Sequence, residues 1–258
     1  MNIIEHNRKA WNRESRQGSP WSRPVSAEVI RAARNGAWSV ILTPGKPVPV
    51  SWFGDLCGKD VLCLASGGGQ QAPILAAAGA SVVSFDLSEE QLKKDREVAE
   101  REGLMLECVR GNMADLTVFP AERFHLIFHP ISNVFVPDVL AVWCECFRVL
   151  RPGGVLLAGF MNPAFFLFDH EDAEHGGGLV VRHTLPYAEP GSLDAERRKH
   201  WEASGRAAEF SHSLESQIGG QIAAGFSITG FYEDTWSDEA TPLNRFMPVA
   251  IATRALKS

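Results

Sequence analysis

No apolar run in this chain reaches about 18 residues, the length a membrane-spanning helix needs. No long basic run is present, and the 258 residues carry a formal net charge of −6. Phosphate backbones are held by basic surface, so nucleic acid is not expected as a partner. The densest charged cluster, Glu196-Arg197-Arg198-Lys199-His200, reads as a solvated helix face. The stretch Met1 to Ala10 lacks the apolar core of a signal peptide. Five cysteines form an odd set without framework spacing. Cys63 and Cys108 fall in strand-like apolar runs, while Cys144 and Cys146 lie two apart on a helix and point in different directions. Buried free thiols in a reducing compartment follow, and with them a cytoplasmic location is expected. Repeats and low-complexity tracts are also missing.

What remains is ordinary globular composition, 45% hydrophobic, with enough chain for one α/β domain with embellishments. Residues 3–17 read as a helix, and residues 26–36 as a second one between an N-cap at Ser26 and a stop at Gly36. Prolines 44, 47 and 49 keep the chain extended up to Trp52. This arm, residues 1–54, carries Trp11, Trp21, Trp38 and Trp52. So much aromatic surface must pack on something, and the cofactor end of the core is the expected place.

The core, residues 55–258, then alternates. Strands are expected at 61–65, 81–86, 105–110, 124–129 and 154–161, with helices at 69–79, 88–103 and 137–150. Ser88-Glu-Glu-Gln91 is a capping-box pattern, and Gly103 a helix stop. Strands separated by helices imply a parallel sheet with right-handed crossovers. The rhythm breaks over residues 162–212, which are expected to form a lid or substrate-facing insertion. Helix returns at 213–224, and strands at 226–233 and 247–254 are expected to pair antiparallel.

The most informative stretch is Val61-Leu-Cys-Leu-Ala-Ser-Gly-Gly-Gly69, with a second apolar run ending at Asp86. A buried strand breaks into a glycine turn, a helix follows, and a carboxylate arrives about twenty residues on. Glycines let backbone approach a ligand, and an acid at a strand end accepts hydrogen bonds from ribose hydroxyls, so a nucleoside cofactor is indicated. Gly67-x-Gly69-x-x-Ala72 can be placed on the dinucleotide fingerprint, which leaves a nicotinamide-dependent oxidoreductase as one reading. Three features favour S-adenosylmethionine instead. Gly111-Asn112-Met113-Ala114-Asp115-Leu116 follows the third strand, placed to hold an adenine edge. Leu150-Arg-Pro-Gly-Gly154 is a helix stop leading into the fifth strand. The closing strands lack a second mononucleotide-binding half, which a dinucleotide requires.

On these residues the chain resembles the class I S-adenosylmethionine-dependent methyltransferases of the small-molecule type. The resemblance covers residues 55–160 closely and 213–256 more loosely. It implies a doubly wound, seven-stranded, mostly parallel α/β sheet with a reversed last strand, a helical cap before it and an insertion after the fifth strand. It implies that Ala65, Ser66, Gly67 and Gly69 line the methionine and ribose, and that Asp86 binds the ribose hydroxyls. Leu87 would flank the adenine, Asn112 and Met113 contact it, and His129 face the methyl group or the substrate. Two positions depart from the family: Cys63 stands where many members have an acid, and Ala65 where many have a first glycine. Alanine keeps the turn if its φ is negative. The missing acid leaves open a non-catalytic adenosylmethionine-binding protein.

Methyl transfer from a sulfonium is an in-line displacement that needs alignment and desolvation, with a base only where the acceptor must lose a proton. The catalytic candidates are His129 and Asn133, in His129-Pro-Ile-Ser-Asn133 at the fourth strand's end. His212, His6 and Trp11 are further candidates for the pocket. Phe165, Phe166, Phe168 and Tyr187 either wall an apolar acceptor or anchor the insertion. Asp169-His-Glu-Asp-Ala-Glu-His175 invites a metal, but its glycine flank, Gly176 to Gly178, favours an acidic loop, and no metal is expected. The expected partner is a small-molecule methyl acceptor, the expected product S-adenosylhomocysteine.

Overall fold

The structure is a computed structural model that describes residues 1–169, 178–237 and 239–258. Its elements run in chain order α1 (Ile3–Gln17), α2 (Ala27–Arg34), β1 (Asp60–Leu64), α3 (Gln71–Ala77), β2 (Ser81–Asp86), α4 (Glu89–Glu102), β3 (Leu106–Arg110), β4 (Phe124–His129), α5 (Val139–Val149), β5 (Leu150–Met161), α6 (Ala195–Ser204), α7 (Gly220–Ala224), β6 (Phe226–Asp234) and β7 (Ala250–Lys257).

The caps set the helix limits. Asn2 Oδ1 accepts the Glu5 N–H at 3.1 Å, and Gly18 closes α1 in the left-handed region. Ser88 Oγ accepts the Gln91 N–H at 3.1 Å, and Gly103 closes α4 the same way. The helix expected over 213–224 opens as a π-turn, Glu215–Gly219, before α7. The strand expected at 247–254 lies three residues later, because Pro248 has no N–H for the ladder and Met247 packs with Leu243 instead.

The seven strands form one sheet in the order β3-β2-β1-β4-β5-β7-β6. β7 runs antiparallel to both β5 and β6, and the other pairings are parallel. The reversed strand and helical layers match the expected fold, and the second mononucleotide half of a dinucleotide fold is absent from this sheet. Side chains alternate between two cores with the period of two that a pleated strand imposes. Val61, Cys63, Leu126, Phe128, Val155 and Leu157 face the α2–α3 side. Leu62, Leu64, Ile127, Leu156 and Ala158 face α5, around the fully buried Trp143. A sheet buried on both faces leaves its strand ends as the place for a ligand.

The N-terminal arm divides. α1 lies on α4, where Arg8 and Asn12 donate to Glu89 at 2.8 and 2.9 Å. Trp38 and Trp52 pack against Phe53 and Tyr232, whereas Trp11 and Trp21 reach the strand-end cavity.

Candidate active site

A cavity of about 850 Å³ opens at the carboxyl ends of β1, β2, β3 and β4. Its floor is the turn after β1 (Ala65, Ser66, Gly67), the end of β2 (Phe85, Asp86, Leu87), the turn after β3 (Gly111, Met113) and the loop after β4 (Pro130 to Ser132).

Asp86 organises the floor. Its Oδ2 accepts the Gly67 N–H at 3.0 Å and its Oδ1 the Ser88 N–H at 2.8 Å. Burial pushes its carboxyl up to about 6, and the backbone donors of Ser88, Gly67 and Leu87 limit the rise. Gly67 must be glycine for this approach, since a Cβ there would lie 2.8 Å from Gln91 Cβ and 3.2 Å from the Asp86 carboxylate. The turn is tighter than the sequence suggests. Ala65 has φ 48°, in the left-handed region rather than at the negative angle expected. That geometry costs about 1 kcal/mol for a non-glycine residue. It turns the chain out of the sheet directly after Leu64, so that Gly67 comes down onto Asp86.

Gly69 was expected at the ligand and lies elsewhere. Its N–H donates to Asp95 Oδ1 at 2.7 Å, its carbonyl accepts from Val25 at 2.8 Å, and a Cβ would press on Pro24 at 3.0 Å. It ties the arm to the core and is not part of the cavity wall. Asp95 itself was missed. It is fully buried in α4, and its Oδ2 accepts from Ser84 Oγ at 2.6 Å. Burial pushes it up to about 7, against the pull of the Ser84 and Gly69 bonds. A signal existed: Leu92, Asp95, Val98 and Ala99 form the buried stripe of α4, and one member is an acid.

Asn112 also stands off the wall. Its Oδ1 accepts the Ala114 N–H at 3.2 Å, which shapes the turn that presents Gly111 and Met113 to the cavity.

Both catalytic candidates are turned away. His129 is fully buried, and its Nδ1 donates to the Leu64 carbonyl at 2.9 Å. Nε2 is then the lone-pair nitrogen, and it has no hydrogen-bond partner among the described residues. Burial pushes the imidazole down to about 4, so it is neutral at neutral pH. The reason is strand parity: His129 shares its face with Ile127 and meets Trp143 edge-on at 6.0 Å. Asn133 is fully buried and donates to Gln217 Oε1 at 3.0 Å, while its neighbours Ser132 and Val134 line the cavity. His212 lies behind it, with Nε2 3.1 Å from the Asn133 carbonyl oxygen. His6 stacks on Trp201 with its Nε2 on the Arg206 carbonyl at 2.7 Å, and is not on the wall.

The far half of the cavity is built by described residues from Met161 to Asp169 and from His183 to Trp236. Phe165, Phe166, Phe168 and Tyr187 all line it, and Phe166 and Tyr187 also anchor the segment in a cluster with Met161, Leu243 and Val249. Trp201, Trp236, Glu189 and Glu209 line it too, and sequence reasoning found none of them. Of the acidic-histidine patch, Asp169 accepts from Arg197 Nε at 2.8 Å, and its remainder lies outside the described residues. Among the described residues no group of His, Cys, Asp and Glu forms a metal site.

The floor suits adenosylmethionine. Asp86 offers carboxylate lone pairs at the strand end, Leu87 and Met113 offer apolar sides to a base, and Ser66 Oγ is buried without a hydrogen-bond partner among the described residues. A family model described as a methyltransferase domain matches residues 62–158. The chain is 49% identical, over 99% of its length and 98% of the relative's, to a Bacillus subtilis (strain 168) protein named an uncharacterized methyltransferase, YbaJ. The chain belongs to the class I S-adenosylmethionine-dependent methyltransferases. A ubiquinone biosynthesis O-methyltransferase of Actinobacillus pleuropneumoniae serotype 5b (strain L20) is 34% identical over 42% of this chain and 47% of its own. The fold is that of an S-adenosylmethionine-dependent methyltransferase from Mesorhizobium loti, with a TM-score of 0.59 at 20% identity over 80% of this chain and 94% of that one. This methyltransferase is an enzyme whose family cofactor is adenosylmethionine, and among the described residues no helix is long and apolar enough to cross a membrane.

Proposed function

We propose that this enzyme methylates a small molecule, held beside adenosylmethionine in the strand-end cavity of about 850 Å³. The carrying observation is that this cavity joins two kinds of wall. Ser66, Gly67, Asp86, Leu87 and Met113 form the cofactor end, and Phe165, Phe166, Phe168 and Tyr187 form an aromatic end. Such a volume is the size of a small-molecule site and leaves little room for a macromolecule's surface.

When bound, adenosylmethionine supplies an activated methyl group. The chain's own work is then binding, orientation and exclusion of water. Asp86, which holds the Gly67 turn, would hold the ribose hydroxyls, and Leu87 and Met113 would give the base apolar contact. Trp11, set edge-on to Phe135 at 5.0 Å, and Trp21, tilted on Trp236 at 5.8 Å, shield the cavity from solvent. His129 positions the end of β1 through Leu64 and takes no proton from the acceptor. The five cysteines are all free, which supports a reducing, cytoplasmic setting.

The test is incubation with methyl-labelled adenosylmethionine and a cell metabolite extract, followed by mass identification of the product. Label is expected in a small molecule. Label confined to protein or nucleic acid would reject the reading.

A further inference from the structure

The aromatic half of the cavity has a chemical sign as well as a shape. Residues 187–189 and 209–211 run side by side: the Glu189 N–H donates to the Glu209 carbonyl at 3.0 Å, and the Ser211 N–H to the Tyr187 carbonyl at 2.9 Å. This pairing brings two glutamates to one wall. The Glu189 carboxylate is well engaged. Oε1 accepts from the Tyr187 hydroxyl at 2.8 Å, Oε2 from the Glu209 N–H at 3.0 Å, and Arg206 lies 3.8 Å from Oε1.

Glu209 differs. Its backbone is clamped on both sides, by the Ala208 N–H on Asn7 Oδ1 at 2.7 Å and the Phe210 N–H on the Val134 carbonyl at 2.7 Å. Its own carboxylate accepts no hydrogen bond from any described residue. Burial first, and the Glu189 charge second, push it up to about 7, with Arg206 pulling the other way. The other cavity guanidinium, Arg197, is engaged by Asp169 at 2.8 Å and Asp194 at 2.9 Å.

Aromatic surface lines the same cavity. Tyr187 stacks on Phe166 at 5.6 Å, and the fully buried Trp201 lines the same cavity with an indole N–H that has no hydrogen-bond partner among the described residues. Rings beside a half-buried carboxylate recognise a cation, whereas a phosphate or carboxylate would meet like charge.

We propose that the acceptor molecule carries an ammonium group, which is held for recognition against Glu209 and is not the atom methylated, and that its apolar body lies on Phe166, Tyr187 and Trp201. This rests on the small-molecule methyltransferase reading and narrows it. An ammonium supplies the charge that Glu209 lacks, and its N–H groups supply the hydrogen bonds.

Calorimetry tests this with three probes that share an aryl body and differ in charge: 2-phenylethylamine, 2-phenylethanol and 3-phenylpropionate. Each is titrated at neutral pH into the protein with and without adenosylhomocysteine. The amine is expected to bind about tenfold more tightly than the alcohol, and the acid to give no heat. Glu209→Gln is expected to erase the preference for the amine while leaving the alcohol's affinity unchanged, which reports an intact chamber. Failure of the amine to bind, equal binding of amine and alcohol, binding of the acid, or a preference that survives Glu209→Gln overturns the proposal. The cofactor reading fails on a separate result, the failure of adenosylhomocysteine to bind, whatever the amine does.

Discussion

The two ends of the cavity are built in opposite ways. The cofactor end comes from residues 65–113, each set by a strand that stops and a turn that follows. The acceptor end comes from an insertion whose parts meet distant elements, as where Ala208 is bonded to Asn7 and Phe210 to Val134. The first is held by a sheet buried on both faces, the second by its own pairing and by the N-terminal helix. The contrast teaches that one end is set by the scaffold's own turns, while the other can change without disturbing the sheet.

The sharpest break would come at Asp86. Asp86→Ala removes both the ribose acceptor and the partner of Gly67, and adenosylhomocysteine affinity should fall by about 2 kcal/mol, ~30-fold, in a calorimetric titration. An unchanged affinity would remove Asp86 from the cofactor end.

The next effect is on stability and depends on pH. Burial raises Asp95 to about 7, so between the ordinary carboxylate range and neutrality the folded chain keeps a proton that the unfolded chain has lost. Stability from this group is therefore fully present at acid pH and falls as pH rises through that window. Asp95→Asn, which keeps an acceptor for Gly69, lacks this loss. Its melting temperature relative to the parent should climb between about pH 4.5 and pH 7.5, by the equivalent of about 1 kcal/mol or more. A difference that stays constant across the range would show that Asp95 titrates normally.

The smallest effect sharpens the division between the ends. Phe165→Ala alters only the aromatic wall, and adenosylhomocysteine affinity should move less than about twofold. A drop comparable with that of Asp86→Ala would mean the two ends are not separable.

Much of the fold was legible because its signals are local. Ser26, Ser88 and Gly103 mark helix ends by their own hydrogen bonds or backbone geometry. The β6–β7 pairing followed from two strands joined without a helix. Asp86, Gly67, Leu87 and Met113 line the cavity, and the sequence pointed to them because strand ends in an α/β sheet face such clefts. His129 satisfied the same rule and still turned away, because a strand end does not say which face a side chain takes. Parity with Ile127 does, and that information was present in the sequence. Gly69 and Asn112 serve the turns rather than the ligand, a difference that depends on which backbone groups need partners. Glu189 and Glu209 carried no local signal, since only the tertiary pairing of their segments brings them together.

The central claim is that these strand-end turns hold the adenosyl cofactor. Calorimetric titration of the intact protein with adenosylhomocysteine tests it most directly. The geometry predicts saturable one-to-one binding well below about millimolar concentration, and no binding up to about millimolar would contradict it.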